Sequence, residues 1–169
     1  METIQRPIFP RPKPKEFFRT LNKRIKGYFK ENDISEKGDI RIHIKTLVFG
    51  VMYVGPFLIM LFYDITGWLS FLLWTIMAVG MAGLGMNTMH DGNHGSYSSH
   101  KWVNRIMGNS MYILAGNTNN WKVQHNGLHH TYTNIHHHDE DMDAGDLLRF
   151  SPKQKKRWFH RYQQYYAWL

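Results

Sequence analysis

The fold class predicted by the sequence is all-α integral membrane: a two-helix transmembrane hairpin plus cytosolic and interfacial helices that carry two histidine clusters. Three observations predict it. Residues 46–63, "TLVFGVMYVGPFLIMLFY", form an uncharged run of 18, and after Asp64 a further 25 uncharged residues extend from Ile65 to Met89. All 21 lysines and arginines lie outside that stretch, 12 of them in residues 1–45 and 9 in residues 101–161. Finally, "HDGNHG" follows directly on the second run, and "QHNGLHH" gathers three more histidines further along.

A chain of 169 residues suits one domain. Its mean hydropathy of -0.47 would suit a soluble protein, but the average hides the concentration of apolar residues between positions 46 and 89. Aromatics at 15%, 10 Met and 6 Trp fit membrane interfaces and adaptable apolar packing. The absence of cysteine excludes disulfides, cysteine-based zinc sites and iron–sulfur clusters, leaving metal chemistry to His, Asp and Glu. A net charge of +8 raises nucleic acid as a partner. The gap in basic residues assigns that charge instead to the positive-inside rule, so membrane lipids are expected and no nucleic acid.

The elements follow in order. Residues 1–45 read as a basic cytosolic arm and an amphipathic helix. The arm holds Pro7, Pro10, Pro12 and Pro14, has no apolar signal-peptide core, and reads as extended. Phe17, Leu21, Ile25 and Tyr28–Phe29 share one face among basic residues up to about Lys30, so this helix lies on a membrane surface or packs on the protein's own cytosolic part. "ENDISEKGD" reads as a loop and "IRIHIK" as a lead-in helix.

Residues 46–89 form the hairpin, with spans 46–63 and 67–89. At ~1.5 Å per residue, roughly 18–22 residues match a hydrocarbon core of ~30 Å. The competing reading is a buried helix pair in a soluble protein. Pro56 is tolerated in membrane helices, and Gly80, Gly83 and Gly85 allow close helix approach near the inner end. A hairpin returns both ends to one side, and the basic flank marks that side as cytosolic. His90 therefore emerges on the cytosolic face. Residues 90–150 read as a cytosolic histidine region, in which "IMGNSMYILAG" is too short to span and reads as interfacial or re-entrant. In 151–169, Ser151 is the expected N-cap and Pro152 the first residue of a helix. Basic residues and then aromatics up to Trp168 make this the start of a truncated third membrane helix.

On a helix, His90 and His94 present two imidazoles on one face. His125 and His129 repeat the spacing, and His130 adds a ring about 100° around the axis. Imidazole suits Zn, Cu, Fe and Ni, so both groups are candidate metal ligands. A HExxH zinc protease is excluded because Asp91 and Asn126 stand where its Glu belongs. The run 138–146 imitates a calcium loop at Asp139, Asp141 and Asp143, but Ala144 replaces the required Gly and Phe150 the final Glu. His136, His137 and His138 read as a solvated loop, with one of them as an auxiliary ligand the open alternative. His43, His100 and His160 have no partner pattern and read as interfacial or packing residues.

"HDGNHGSYS" and "QHNGLHHTYTN" resemble the first and second histidine boxes of membrane fatty acid desaturases, in particular the bacterial acyl-lipid and linoleoyl-CoA group related to front-end desaturases. "IHHHDEDMD" occupies the place of the acidic stretch that follows the second box there. The resemblance implies a cytosolic di-iron centre, with O2 as co-substrate, that places a cis double bond in a fatty acyl chain. Under it His90, His94, His125, His129 and His130 are the iron ligands, and Asp91 orients one of them from behind. The substrate is a fatty acyl lipid or acyl-CoA. Electrons come from a separate ferredoxin or cytochrome b5 type donor, since no fused cytochrome b5-like domain is found. The third box and second pair of spans that the resemblance implies do not lie within these residues, so the chain is expected to be an N-terminal part. A bacterial inner membrane is favoured over endoplasmic reticulum. Two alternatives stay open: a related di-iron lipid, carotenoid or alkane hydroxylase, and a non-enzymatic metal-binding membrane remnant.

Overall fold

The computed structural model describes Pro7, Phe9 and residues 15–167. The extended arm expected in residues 1–14 lies, apart from those two residues, outside the described part, as do Trp168 and Leu169 at the other end. Among the described residues every regular element is helical. They are α1 (Lys15–Glu31), α2 (Ile40–Phe62), α3 (Gly67–Gly83), α4 (His90–Asn93), α5 (Lys101–Asn109), α6 (Thr118–Trp121), α7 (His130–Tyr132) and α8 (Gln163–Tyr166). Wider π-helical turns occupy Leu84–Met89 and Lys122–His129, and 3₁₀ turns occupy Ser110–Tyr112, Glu140–Met142 and Trp158–Tyr162. The chain divides into two compact units, one within Arg11–Thr118 and one from Asn119 onwards.

In the first unit, α2 and α3 pack on each other as a hairpin. Asp39 starts α2 by accepting a hydrogen bond from the Arg41 amide at 2.8 Å, which satisfies one of the open donors of a helix start. The lead-in segment and the first apolar run are therefore one continuous helix. Pro56 sits inside it without ending it. The two helices meet where α3 has no side chain: a Cβ added at Gly80 would lie 2.6 Å from the Tyr53 amide nitrogen and 2.9 Å from the Phe49 carbonyl oxygen. Backbone atoms cannot yield at that distance, so only glycine permits the crossing.

Ile40–Phe62 and the continuous stretch Gly67–Asn93 are each long and apolar enough to cross a membrane. Only 6% of the apolar window of α2 is buried, and Leu47, Val51, Phe57, Leu61, Trp68, Phe71 and Trp74 all point outward. A buried helix pair of a soluble protein would hide these side chains; here the apolar surface is the outer one.

At the end of the hairpin where α2 begins and α3 finishes, a buried polar chain ties three segments together. The Tyr97 hydroxyl, in a residue 1% exposed, donates to Thr46 Oγ1 at 2.9 Å and lies 3.2 Å from His43 Nδ1. Thr46 Oγ1 and Thr88 Oγ1 are 2.8 Å apart. The loop before α2 joins the same corner, as the Gly38 amide donates to the Ser96 carbonyl at 2.9 Å and Lys37 Nζ to the Gly95 carbonyl at 3.0 Å. His43 is thus a packing residue of this corner.

The amphipathic helix α1 forms as its periodicity predicts, with Phe17, Leu21, Ile25 and Tyr28 exposed. The segment expected to be interfacial or re-entrant, residues 106–116, takes in the last turn of α5 and the 3₁₀ turn Ser110–Tyr112, and α5 packs on α4.

The second unit corrects one expectation. Ser151 and Pro152 open a turn and no helix. Gln154 Oε1 accepts from the Phe150 and Ser151 amides at 2.7 and 2.8 Å, while the Arg149 guanidinium donates to the Pro152 and Gln154 carbonyls. The Arg149 bonds take up the Pro152 and Gln154 carbonyls that a helix from Ser151 would have used as acceptors. Helical structure resumes only at Trp158, behind a capping arrangement in which the Arg157 amide donates to His160 Nδ1 at 3.1 Å. His160 is buried there, with Nε2 2.8 Å from the Asp146 carbonyl oxygen.

Candidate metal centre

The first histidine group stands where α3 finishes. The π-helical turn Leu84–Met89 runs directly into His90, so the helix is widened immediately before the first imidazole. Such turns concentrate at functional sites because they re-aim side chains without breaking the helix. The Asn87 side chain donates to the Gly83 carbonyl at 3.0 Å and helps to hold the turn. The rings of His90 and His94 have centroids 4.4 Å apart at 63°. His90 Nδ1 lies 3.1 Å from Asp91 Oδ1. Gly95, with φ +67°, takes the left-handed position that ends the helix directly after His94.

The second group lies in the other unit and departs from α-helical geometry. His125 and His129 belong to the π-helical segment, and the His130 amide donates to the His125 carbonyl, five residues back. An α-helix would turn the His130 ring away from the other two. Five-residue bonding instead brings His130 round beneath His125. The centroids are 5.0 Å apart for His125–His129, 4.9 Å for His125–His130 and 5.5 Å for His129–His130. Trp121 stacks on the other face of His125 at 4.3 Å.

The acidic run lies beside these rings. Asp139 starts the 3₁₀ turn Glu140–Met142, and three consecutive acidic side chains reach the π-helical segment. Asp139 Oδ1 is 2.9 Å from His129 Nδ1, Asp141 Oδ2 is 2.6 Å from His125 Nδ1, and Glu140 Oε2 accepts from Gln124 Nε2 at 2.7 Å. The Asp139 side chain is fully buried. Its other oxygen accepts from the Asn134 amide at 2.8 Å, and Oδ1 also takes the Asp141 amide at 3.2 Å. Burial alone would push the Asp139 carboxyl up. The hydrogen bonds from His129 and from the Asn134 and Asp141 amides outweigh it and hold the group below its ordinary value.

His125, His129 and Asp141 each offer a ligand atom, and these atoms lie within 4.8 Å of one another, so the set could hold a metal ion. The donor chemistry suits iron, for which imidazole and carboxylate are both competent ligands. The Nδ1–carboxylate contacts on both rings offer a second arrangement, in which Asp139 and Asp141 stand behind the rings and Nε2 is left for the metal, since metal-bound histidines commonly direct their second nitrogen to a carboxylate. His136 and His137 lie in a turn, with His137 at φ +69°, and the two rings are 3.8 Å apart. His138 packs instead against Tyr132 at 5.2 Å. The parts played by Asp139, Glu140 and Asp141 at the rings were missed in the sequence. The signal in the sequence is a carboxylate run ten to sixteen residues after a histidine pair.

Span-length apolar helices packed as a hairpin, and histidine–carboxylate sets that could hold a metal, define an all-helical protein with candidate membrane spans and a candidate metal centre. The chain belongs to the fatty acid desaturase family, whose sequence model matches residues 66–169. It is 35% identical over 153 residues to the sn-1 linoleoyl-lipid 6-desaturase of Arthrospira platensis, covering 90% of this chain and 42% of that protein. The corresponding protein of Synechocystis sp. is 32% identical over 152 residues, with the same shares covered. The acyl-lipid (8-3)-desaturase of Physcomitrium patens is 30% identical over 155 residues, covering 89% of this chain and 32% of that protein. The chain thus spans about two-fifths of the length of the first two relatives and a third of the last. No solved structure matches it.

Proposed function

We propose that the chain is part of an O2-dependent desaturase that places a cis double bond in a fatty acyl chain. The observation that carries this reading is a family match extending over both histidine groups, from His90 to His130. In this reading residues 46–89 are embedded in a membrane. Residues 1–45 and the histidine region 90–150 face the cytosol of a bacterial cell, where the basic flanks belong. Residues 151–169 lead towards a further membrane segment. His90, His94, His125, His129 and His130 are ligands of a non-haem di-iron centre. When bound, iron supplies the dioxygen activation needed to take two hydrogens from an unactivated acyl chain.

The chain's own residues supply position. Neutral imidazoles hold iron without adding negative charge, and Asp91 steadies His90 through Nδ1. The outward apolar surface of the hairpin lies in lipid, and His90 and His94 follow directly on its second helix, where an acyl tail arrives without crossing water. Removing two hydrogens while reducing O2 to two waters takes two further electrons and two protons. A separate ferredoxin or cytochrome b5 type donor supplies the electrons, and the substrate is an acyl lipid or acyl-CoA.

The test is expression of the complete gene in cells fed defined acyl lipids, with product analysis by mass spectrometry. A new cis double bond that needs O2 and disappears in His129→Ala is expected. Hydroxylated product without new double bonds would move the protein to the related oxygenases. Absence of both product and bound iron would make it a non-enzymatic membrane protein.

A further inference from the structure

The acidic turn does more than fill space beside the second histidine group. Asp139 accepts a backbone amide on each oxygen, which favours its carboxylate form, and against a carboxylate the imidazole is the donor. Nδ1 of His129 therefore carries the proton. Asp141 Oδ2 lies 2.6 Å from His125 Nδ1 and 3.6 Å from His129 Nδ1, so its carboxylate faces both rings. A neutral ring protonated at Nδ1 has its lone pair at Nε2 alone, so the two carboxylates choose which nitrogen is offered to a metal. Their neighbour Glu140 binds Gln124, directly before His125, and keeps the turn in register with the π-helical segment.

We propose that Asp139 and Asp141 are positioning residues that hold His129 and His125 as Nδ1–H tautomers with Nε2 directed to the metal. This assignment rests on the iron-binding reading above. The two carboxylates divide the work. Asp139 is buried and also closes the turn between Asn134 and Asp141, so its removal disturbs the backbone. Asp141 is partly exposed, and among the described residues its carboxylate reaches the two rings alone, which makes it the cleaner probe.

The test uses the full chain purified in detergent, as wild type, Asp141→Asn, Asp141→Glu and Asp139→Asn. Nitrogen NMR of the histidine rings in the metal-free protein reads the tautomers directly, and titration with Co2+ alone reads affinity and coordination. The expected result is Nδ1–H at His125 and His129 in wild type and a mixed tautomer at His125 in Asp141→Asn. Co2+ affinity should fall about 10–100-fold in that variant, with partial recovery in Asp141→Glu and an unchanged pattern of Co2+ d–d bands. Protonation at Nε2 in the wild type, or an Asp141→Asn variant with unaltered tautomer and affinity, would overturn the proposal. So would a change of coordination in the d–d spectrum, which would make Asp141 a ligand. Wild-type protein with the expected tautomers but no histidine-dependent Co2+ binding would sink the iron reading while upholding the assignment of the Nδ1 protons.

Discussion

Gly92 and Gly108 bring two helices into backbone contact: a Cβ added at Gly92 would sit 2.4 Å from the Gly108 amide nitrogen. Gly92 lies between His90 and His94, so the packing of α4 on α5 is also what holds the first histidine pair. The neighbouring Asn93 adds a hydrogen bond from Nδ2 to the Gly108 carbonyl at 3.1 Å. Gly92→Ala should therefore separate the two helices, at a cost of about 1–3 kcal/mol for overpacking. Thermal unfolding in detergent checks this, and Gly127→Ala, whose added Cβ meets nothing nearer than 3.8 Å, is the control expected to change little.

Tyr97 is the centre of the buried polar corner, and its hydroxyl is its only polar group there. Tyr97→Phe keeps the ring but leaves Thr46 and His43 without that partner. A loss of about 1–3 kcal/mol is expected, the usual cost of stranding buried polar groups. Because Thr46 also faces Thr88, Thr46→Val should cost less in the Tyr97→Phe background than in wild type. A double-mutant cycle on unfolding free energy measures that coupling.

Asp146 accepts a hydrogen bond from the Arg157 guanidinium, and this bond, with the Arg157 charge, holds its carboxyl below the ordinary value of 3.8. A carboxyl depressed in the folded state adds stability that is present above 3.8 and is lost as pH falls through the folded value. Arg157→Gln should raise the Asp146 midpoint towards 3.8 and remove that acid-side dependence. A carboxyl carbon NMR titration of the two proteins reads the shift.

Metal bound by the folded set around His125 and His129, and not by the unfolded chain, should stabilise the protein by mass action. At a free metal concentration of a hundred times Kd the gain is about 2.7 kcal/mol. The melting temperature should rise with Co2+, return on adding a chelator, and stay level in a His125→Ala, His129→Ala double variant. Differential scanning calorimetry in detergent makes the measurement.

Local pattern made the hairpin legible. Two uncharged runs with basic flanks required apolar helices of span length, and α2 and the continuous helical stretch Gly67–Asn93 are those helices. The amphipathic α1 was equally plain, because its face depends on residues three and four apart. The start expected at Ser151 failed for a related reason. An N-cap and a following proline are weak local signals, and Arg149 captured the Pro152 and Gln154 carbonyls that the helix needed.

By itself, then, the sequence determined the helix pair, the gap in charge around it and the five positions at which histidines gather. All of these follow from composition and short spacing along one chain segment. Only the tertiary structure decided how the second group is arranged. The His130 ring lies beneath His125 because the backbone there bonds five residues back, and helical periodicity read from side chains alone does not reveal that choice. Asp139 meets His129 across ten residues, and Asp141 meets His125 across sixteen. Such pairings arise when a turn folds back on a helix, where the burial of one carboxylate is offset by the donors that converge on it.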